Sequence, residues 1–159
     1  MSKAPSHNPP AVAGDTVGAL IEWGSQQLES AGVSFGHGTT NAHDEAAWLV
    51  LWRLGLPLDS DLSDAPESIK NKPVAPAEKA LVATLFEERI ASRKPAAYLT
   101  REAWLQGVPF YVDERAIVPR SFIAELLVDG SVDDFLSDRT HRVLDLSLIH
   151  ISEPTRPER

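Results

Sequence analysis

The residue types that most often carry chemistry are thinly spread in this chain. His37, His43, Asp44 and Glu45 form the densest group of potential metal ligands. His43 and Asp44 are neighbours, so on a helix they point apart, and no third strong ligand follows at the spacing of a zinc motif. A loop histidine and acids in a helix's first turn, where carboxylates favour the dipole, account for the group, and no metal is expected. With no cysteine there is no thiolate ligand, no cysteine nucleophile and no disulfide. No serine, histidine and aspartate stand in a triad order, and neither a phosphate loop nor a basic patch interleaved with aromatics occurs. The remaining candidates are Pro119, Arg120, Ser121 and Glu125, with Asp145 and Trp104. Taken alone, Ser121 reads as a helix cap, Arg120 as a surface residue, Asp145 as an acid near a strand end and Trp104 as hairpin packing.

The elements that would position these residues belong to an acidic chain of 159 residues, with 15 basic and 23 acidic side chains and 43% hydrophobic residues. The longest uncharged apolar run, Ala46 to Trp52, is far short of the roughly 20 residues a membrane-spanning helix needs. The opening MSKAPSHNPPAVAGD has no continuous apolar core of the secretory kind, so residues 1–14 are expected to be a disordered lead, and the protein a cytoplasmic monomer. The charge is uneven: residues 1–68 hold nine acids against Lys3 and Arg53. Such a surface repels phosphate backbones, so direct nucleic-acid binding is not expected. It suits a basic partner protein, although an ordinary acidic surface explains it as well.

Asp15 is placed to cap a helix whose apolar positions Val17, Leu20, Ile21, Gly24 and Leu28 keep helical spacing, with Gly32 where a helix commonly stops. After a loop rich in Gly, Thr and Asn, a second helix is expected from about His43 to Leu54. Its apolar residues wrap nearly all round, which predicts the central helix of a bundle. Residues 57–74 predict a loop with one short helical turn. Pro76 starts a third helix through Ser92, with Val82, Leu85, Phe86 and Ile90 as the buried stripe. At Pro95 the pattern changes, and Glu102 to Val118 reads as a hairpin or small meander broken at Gln106-Gly107 and Asp113-Glu114. Ser121 then caps a short helix carrying Phe122, Ile123, Leu126 and Leu127. Ser131 with Asp134 resembles a capping box, and Arg142 to Leu146 reads as a buried strand.

Four segments together resemble the two-domain protein-glutamine methyltransferases: DEAAWLVLWRLGLPLD (Asp44 to Asp59), RKPAAYLTREAW (Arg93 to Trp104), PFYVDERAIVPRSFIAELL (Pro109 to Leu127) and VLDL (Val143 to Leu146). The stretch from Val118 to Leu127 is similar to the enzymes that act on large-subunit ribosomal protein L-three. The sister enzymes of peptide-chain release factors usually carry Pro-Arg-Pro-Glu-Thr-Glu there, from which Ser121 and Phe122 depart. The resemblance implies an α+β chain: a helical substrate-recognition domain at 15–100, a hairpin bridge at 101–120, and at 121–146 the start of a Rossmann-like domain that binds S-adenosylmethionine. It implies that Pro119, Arg120, Ser121 and Glu125 lie beside the methionine end of the cofactor, that Asp145 helps shape the cofactor loop, and that Trp104 forms part of the wall around the acceptor glutamine. The acceptor is an amide nitrogen, a poor nucleophile because its lone pair is delocalised, so positioning and desolvation must supply much of the rate.

Two motifs the resemblance calls for are missing from these 159 residues: the Gly-rich cofactor loop after Val143 to Leu146, and the Asn-Pro-Pro-Tyr that holds the amide. No catalytic residue is therefore assigned. Leu146 to Arg156 instead match the translation of a transposon-end sequencing adapter, and residues 147–159 are expected to be a non-native tail, with the gene cut inside the cofactor motif. The expected function is methylation of a glutamine amide on ribosomal protein L-three, with these residues inactive alone. A release-factor methyltransferase, or a non-catalytic helical protein-binding module, are the alternatives.

Overall fold

A computed structural model describes residues 14–36, 38–137, 139 and 140. Residues 1–13 of the expected lead, the expected strand (142–146, with Asp145) and tail (147–159), together with His37, lie outside the described residues. The chain divides into two units, the first ending at Arg120 and the second beginning at Ser121. Helices combine with a two-stranded antiparallel sheet, compatible with the α+β class.

In the first unit, α1 spans Val17–Ser30 and buries the whole expected stripe, with Trp23 added. Its cap is Thr16 and not Asp15: the Thr16 hydroxyl accepts the Ala19 N–H at 3.3 Å. Asp15 instead pairs with Lys79, a contact 64 residues away in sequence that no local signal announces. The Val17 N–H donates to the Lys72 carbonyl and the Val74 N–H to the Asp15 carbonyl, at 3.0 and 2.9 Å, so the start of α1 is tied down on both sides. α2, Ala42–Arg53, is capped by the Asn41 carboxamide oxygen, which accepts the Asp44 N–H at 2.9 Å. It packs against α1, against α3 (Pro76–Ser92) and against α4 (Ala96–Thr100), the central place expected of a helix apolar nearly all round. The expected turn in the 57–74 loop is a 3-10 turn at Ile69–Asn71.

Helix α3 starts at Pro76, and the Glu78 carboxylate closes its first turn by accepting the Ala75 N–H at 2.9 Å. The Phe86 ring lies over α1: a Cβ at Gly24 would meet it at 2.3 Å, so only glycine lets the two helices approach this closely there. Trp23 meets the same ring edge-on at 5.5 Å. α4, a single turn, is absent from the sequence reading because five residues are too few to show a helical period. The hairpin pairs β1 (Glu102–Leu105) with β2 (Val108–Tyr111) around Gln106-Gly107. Both turn residues have positive φ, 49° and 76°, the signature of the two-residue turn that matches strand twist.

Two apolar clusters result, one among α1, α2 and α3, and a smaller one of Ala97, Ala103, Val112 and Val118 under the hairpin. Trp48 of α2 packs against both.

In the second unit, α5 (Phe122–Val128) is capped as expected by Ser121, whose hydroxyl accepts the Ala124 N–H at 3.3 Å. The expected capping box at Ser131 does not form. The 3-10 turn Asp133–Phe135 has no side-chain cap, and the Asp129 carboxylate takes the Ser131 N–H at 2.8 Å, so an aspartate turn uses up the serine's neighbourhood.

Candidate functional site

A cleft of about 910 Å³ opens on the first unit. One wall is α2 and its exit loop, with Trp48, Trp52 and Leu58. The other is the hairpin and the loop leaving it, with Trp104, Val118 and Pro119, and Thr39 closes one end. Trp48 and Trp52 are one helical turn apart, which puts both indoles on the same face of α2. Two charged residues line the cleft, Asp59 and Glu102, and both are acids. The Glu102 carboxylate accepts the Trp104 indole N–H, which fixes the indole's direction on the hairpin. Trp104 nonetheless remains 48% exposed.

A buried ion pair braces the end of the cleft at Thr39. Arg89 of α3 and Glu45 of α2 are 1% and 4% exposed, and the guanidinium Nε donates to the Glu45 carboxylate at 2.7 Å. The same guanidinium donates through Nη2 to the Ser34 carbonyl, and the Thr39 hydroxyl donates to the second Glu45 oxygen, each at 3.0 Å. Two helices and the loop between α1 and α2 are thereby held by one network. Glu45 does lie in the first turn of α2, but its carboxylate is committed to Arg89 and is not a surface acid serving the helix dipole. His43 and Asp44 are exposed and approach each other at 3.8 Å, and no group of three or more ligating side chains occurs among the described residues.

Of the expected site residues, Trp104 and Pro119 come together at the cleft. Arg120 is exposed at the end of the first unit. In the second unit Ser121 serves as the cap of α5 and Glu125 is exposed on that helix. The sequence reading missed Trp48, Trp52, Asp59 and Glu102 as cleft residues. The available signal was the pair of tryptophans four residues apart on one helix. For Arg89 it was an arginine in register with Val82, Leu85 and Phe86 on an otherwise apolar stripe.

No protein-family model matches the chain. Curated relatives do. Over 115 residues, 72% of this chain, it is 50% identical to a protein of Burkholderia pseudomallei named ribosomal protein uL3 glutamine methyltransferase. Proteins of the same name from Neisseria meningitidis serogroup A and Bordetella pertussis are 46% and 47% identical over 82% and 72% of this chain. Over most of its length the chain is thus similar to proteins of this one name. It spans 36%, 42% and 37% of the lengths of those three relatives. No described helix is long and apolar enough to cross a membrane.

Proposed function

We propose that the protein carrying these residues methylates a glutamine side-chain amide on ribosomal protein uL3 in the cytoplasm, and that the first unit is the part that meets the protein substrate. The observation that carries this reading is the 46–50% identity, over most of the chain, to proteins named for that activity. The cleft adds a physical argument: an open apolar groove with aromatic walls suits an extended protein segment better than a compact metabolite. In this reading residues 15–100 recognise substrate, 101–120 are the bridge and 121–146 begin a Rossmann-like domain.

S-adenosylmethionine is the proposed methyl donor, supplying an electrophilic methyl group on a sulfonium. The fit of the described residues to it is incomplete. Aromatic faces and two carboxylates at the cleft suit a sulfonium cation, but the lining holds no basic side chain for the methionine carboxylate. The Gly-rich loop for the nucleotide portion is absent from the sequence. In this reading Pro119, Arg120, Ser121 and Glu125 lie beside the methionine end of the cofactor and Asp145 helps shape its loop.

Isotope-labelled methyl donor and uL3 test the reading. The 159 residues alone, which contain no Asn-Pro-Pro-Tyr, should give no labelled glutamine. A chimera of Met1 to Leu146 with a relative's cofactor domain should label uL3. Labelling of a release factor in preference to uL3 would overturn the substrate assignment, and labelling by the 159 residues alone would overturn the assignment of the chemistry to the missing motifs.

A further inference from the structure

The charged side chains that line the cleft are of one sign. Its charged lining is Asp59 and Glu102, with no lysine or arginine, while Trp48, Trp52 and Trp104 supply three indoles. Asp61, Asp64 and Glu67 follow Asp59 on the same exit loop, and of these Asp64 is paired, with Lys70. An indole face attracts a cation through its quadrupole, and a carboxylate beside it adds a counter-charge without competing for the same approach. Glu102 already accepts the Trp104 N–H, which leaves its outward lone pairs for a donor on the ligand.

We propose that the cleft docks a lysine- or arginine-bearing extended segment of the protein substrate, with a cationic side chain held on the tryptophan faces against Asp59 and Glu102. This rests on the reading of the first unit as the substrate-facing part and adds what that unit reads. The charge of the first unit favours a basic segment over an apolar one: residues 1–120 carry fifteen acids and eleven bases. Long-range attraction then speeds encounter, and the cleft supplies the register. The buried Glu45–Arg89 pair is a positioning element here, since it holds the Thr39 end of the cleft through the Thr39 hydroxyl.

The test titrates the 159-residue chain with overlapping 15-residue peptides covering uL3, together with an acidic peptide of equal length, following tryptophan fluorescence. Basic peptides should bind and the acidic one should not, and binding should weaken as salt rises toward 1 M, where the screening length falls to about 3 Å. Glu102→Gln, which keeps an acceptor for Trp104, and Asp59→Asn should each weaken binding about two- to fivefold, the range for exposed charge pairs. Trp52→Ala should weaken it about fivefold. Circular dichroism of each variant confirms its fold, and the two conservative carboxylate variants keep the test decisive if Trp52→Ala does not fold. Failure of every basic peptide to bind, or binding indifferent to charge and to both carboxylates, overturns the proposal. Peptide binding with a chimera that leaves uL3 unlabelled sinks the proposed activity alone. Labelling of uL3 with an unchanged KM in the Glu102→Gln, Asp59→Asn chimera sinks the docking proposal alone.

Discussion

The stripe of α1 and the stripe of α5 have the same kind of spacing and opposite fates. Val17, Leu20, Ile21 and Leu28 are 0–3% exposed, buried against α2 and α3. Phe122, Ile123, Leu126 and Leu127 are 84%, 62%, 45% and 59% exposed. A helical period therefore reports that a face wants burial, and only neighbouring elements decide whether it is buried. The first unit has those neighbours, and its stability rests on packing. α5 is seven residues long, too short to persist on propensity alone, so its local order leans on the Ser121 cap.

The sharpest way to break this contrast is Arg89→Ala. It strands the Glu45 carboxylate in the interior, which costs about 3–5 kcal/mol when one partner of a buried pair is lost. Urea denaturation should show a large fall in midpoint, and replacing both partners by Leu and Met should recover much of it. Next comes Gly24→Ala, whose new Cβ would stand 2.3 Å from the Phe86 ring and force the helices apart. Overpacking of this kind costs about 1–3 kcal/mol, readable as a lowered thermal midpoint with Trp23 fluorescence as probe.

In the second unit the effects should shrink. Ser121→Ala removes one cap, about 1 kcal/mol, and hydrogen exchange should quicken in α5 while amides of α1 stay unchanged. Phe122→Ser should change global stability by no more than about 0.5 kcal/mol, as for other exposed positions. A loss of 2 kcal/mol or more in a denaturation curve would mean that this face is covered after all. The smallest effect belongs to Asp113, beside the hairpin. Hydrogen bonds from the Arg115 side chain, with its charge, hold the Asp113 carboxyl well below the usual carboxylate range. A depressed folded pKa gives stability that is present above the unfolded value, about 3.9, and lost as pH falls below it. Asp113→Asn should slightly flatten the acid limb of the hairpin's stability, followed by Tyr111 proton shifts.

Much of this was legible in the sequence because it is local. Pro76 and Ser92 bound α3 as the pattern predicts, Gln106-Gly107 makes the turn, and Ser121 caps α5. The misses share a different cause. Asp15 lost the cap of α1 to Thr16 and pairs with Lys79. Glu45 looked like a first-turn acid and meets Arg89, 44 positions away. At Ser131 the competition was local, between a capping box and a turn made by Asp129. The cleft was half legible: Trp104 and Pro119 were named from the resemblance, whereas Trp48, Trp52, Asp59 and Glu102 become one surface only when the exit of α2 meets the hairpin.

The claim that the first unit is a packed scaffold carrying the cleft, while α5 stands on local order, is tested most directly by hydrogen exchange of the 159-residue chain. Amides of α1, α2 and α3 should exchange only through global unfolding, with a common denaturant dependence, and those of α5 should exchange orders of magnitude faster and independently of it. Equal protection in α5 and the three long helices would contradict the account.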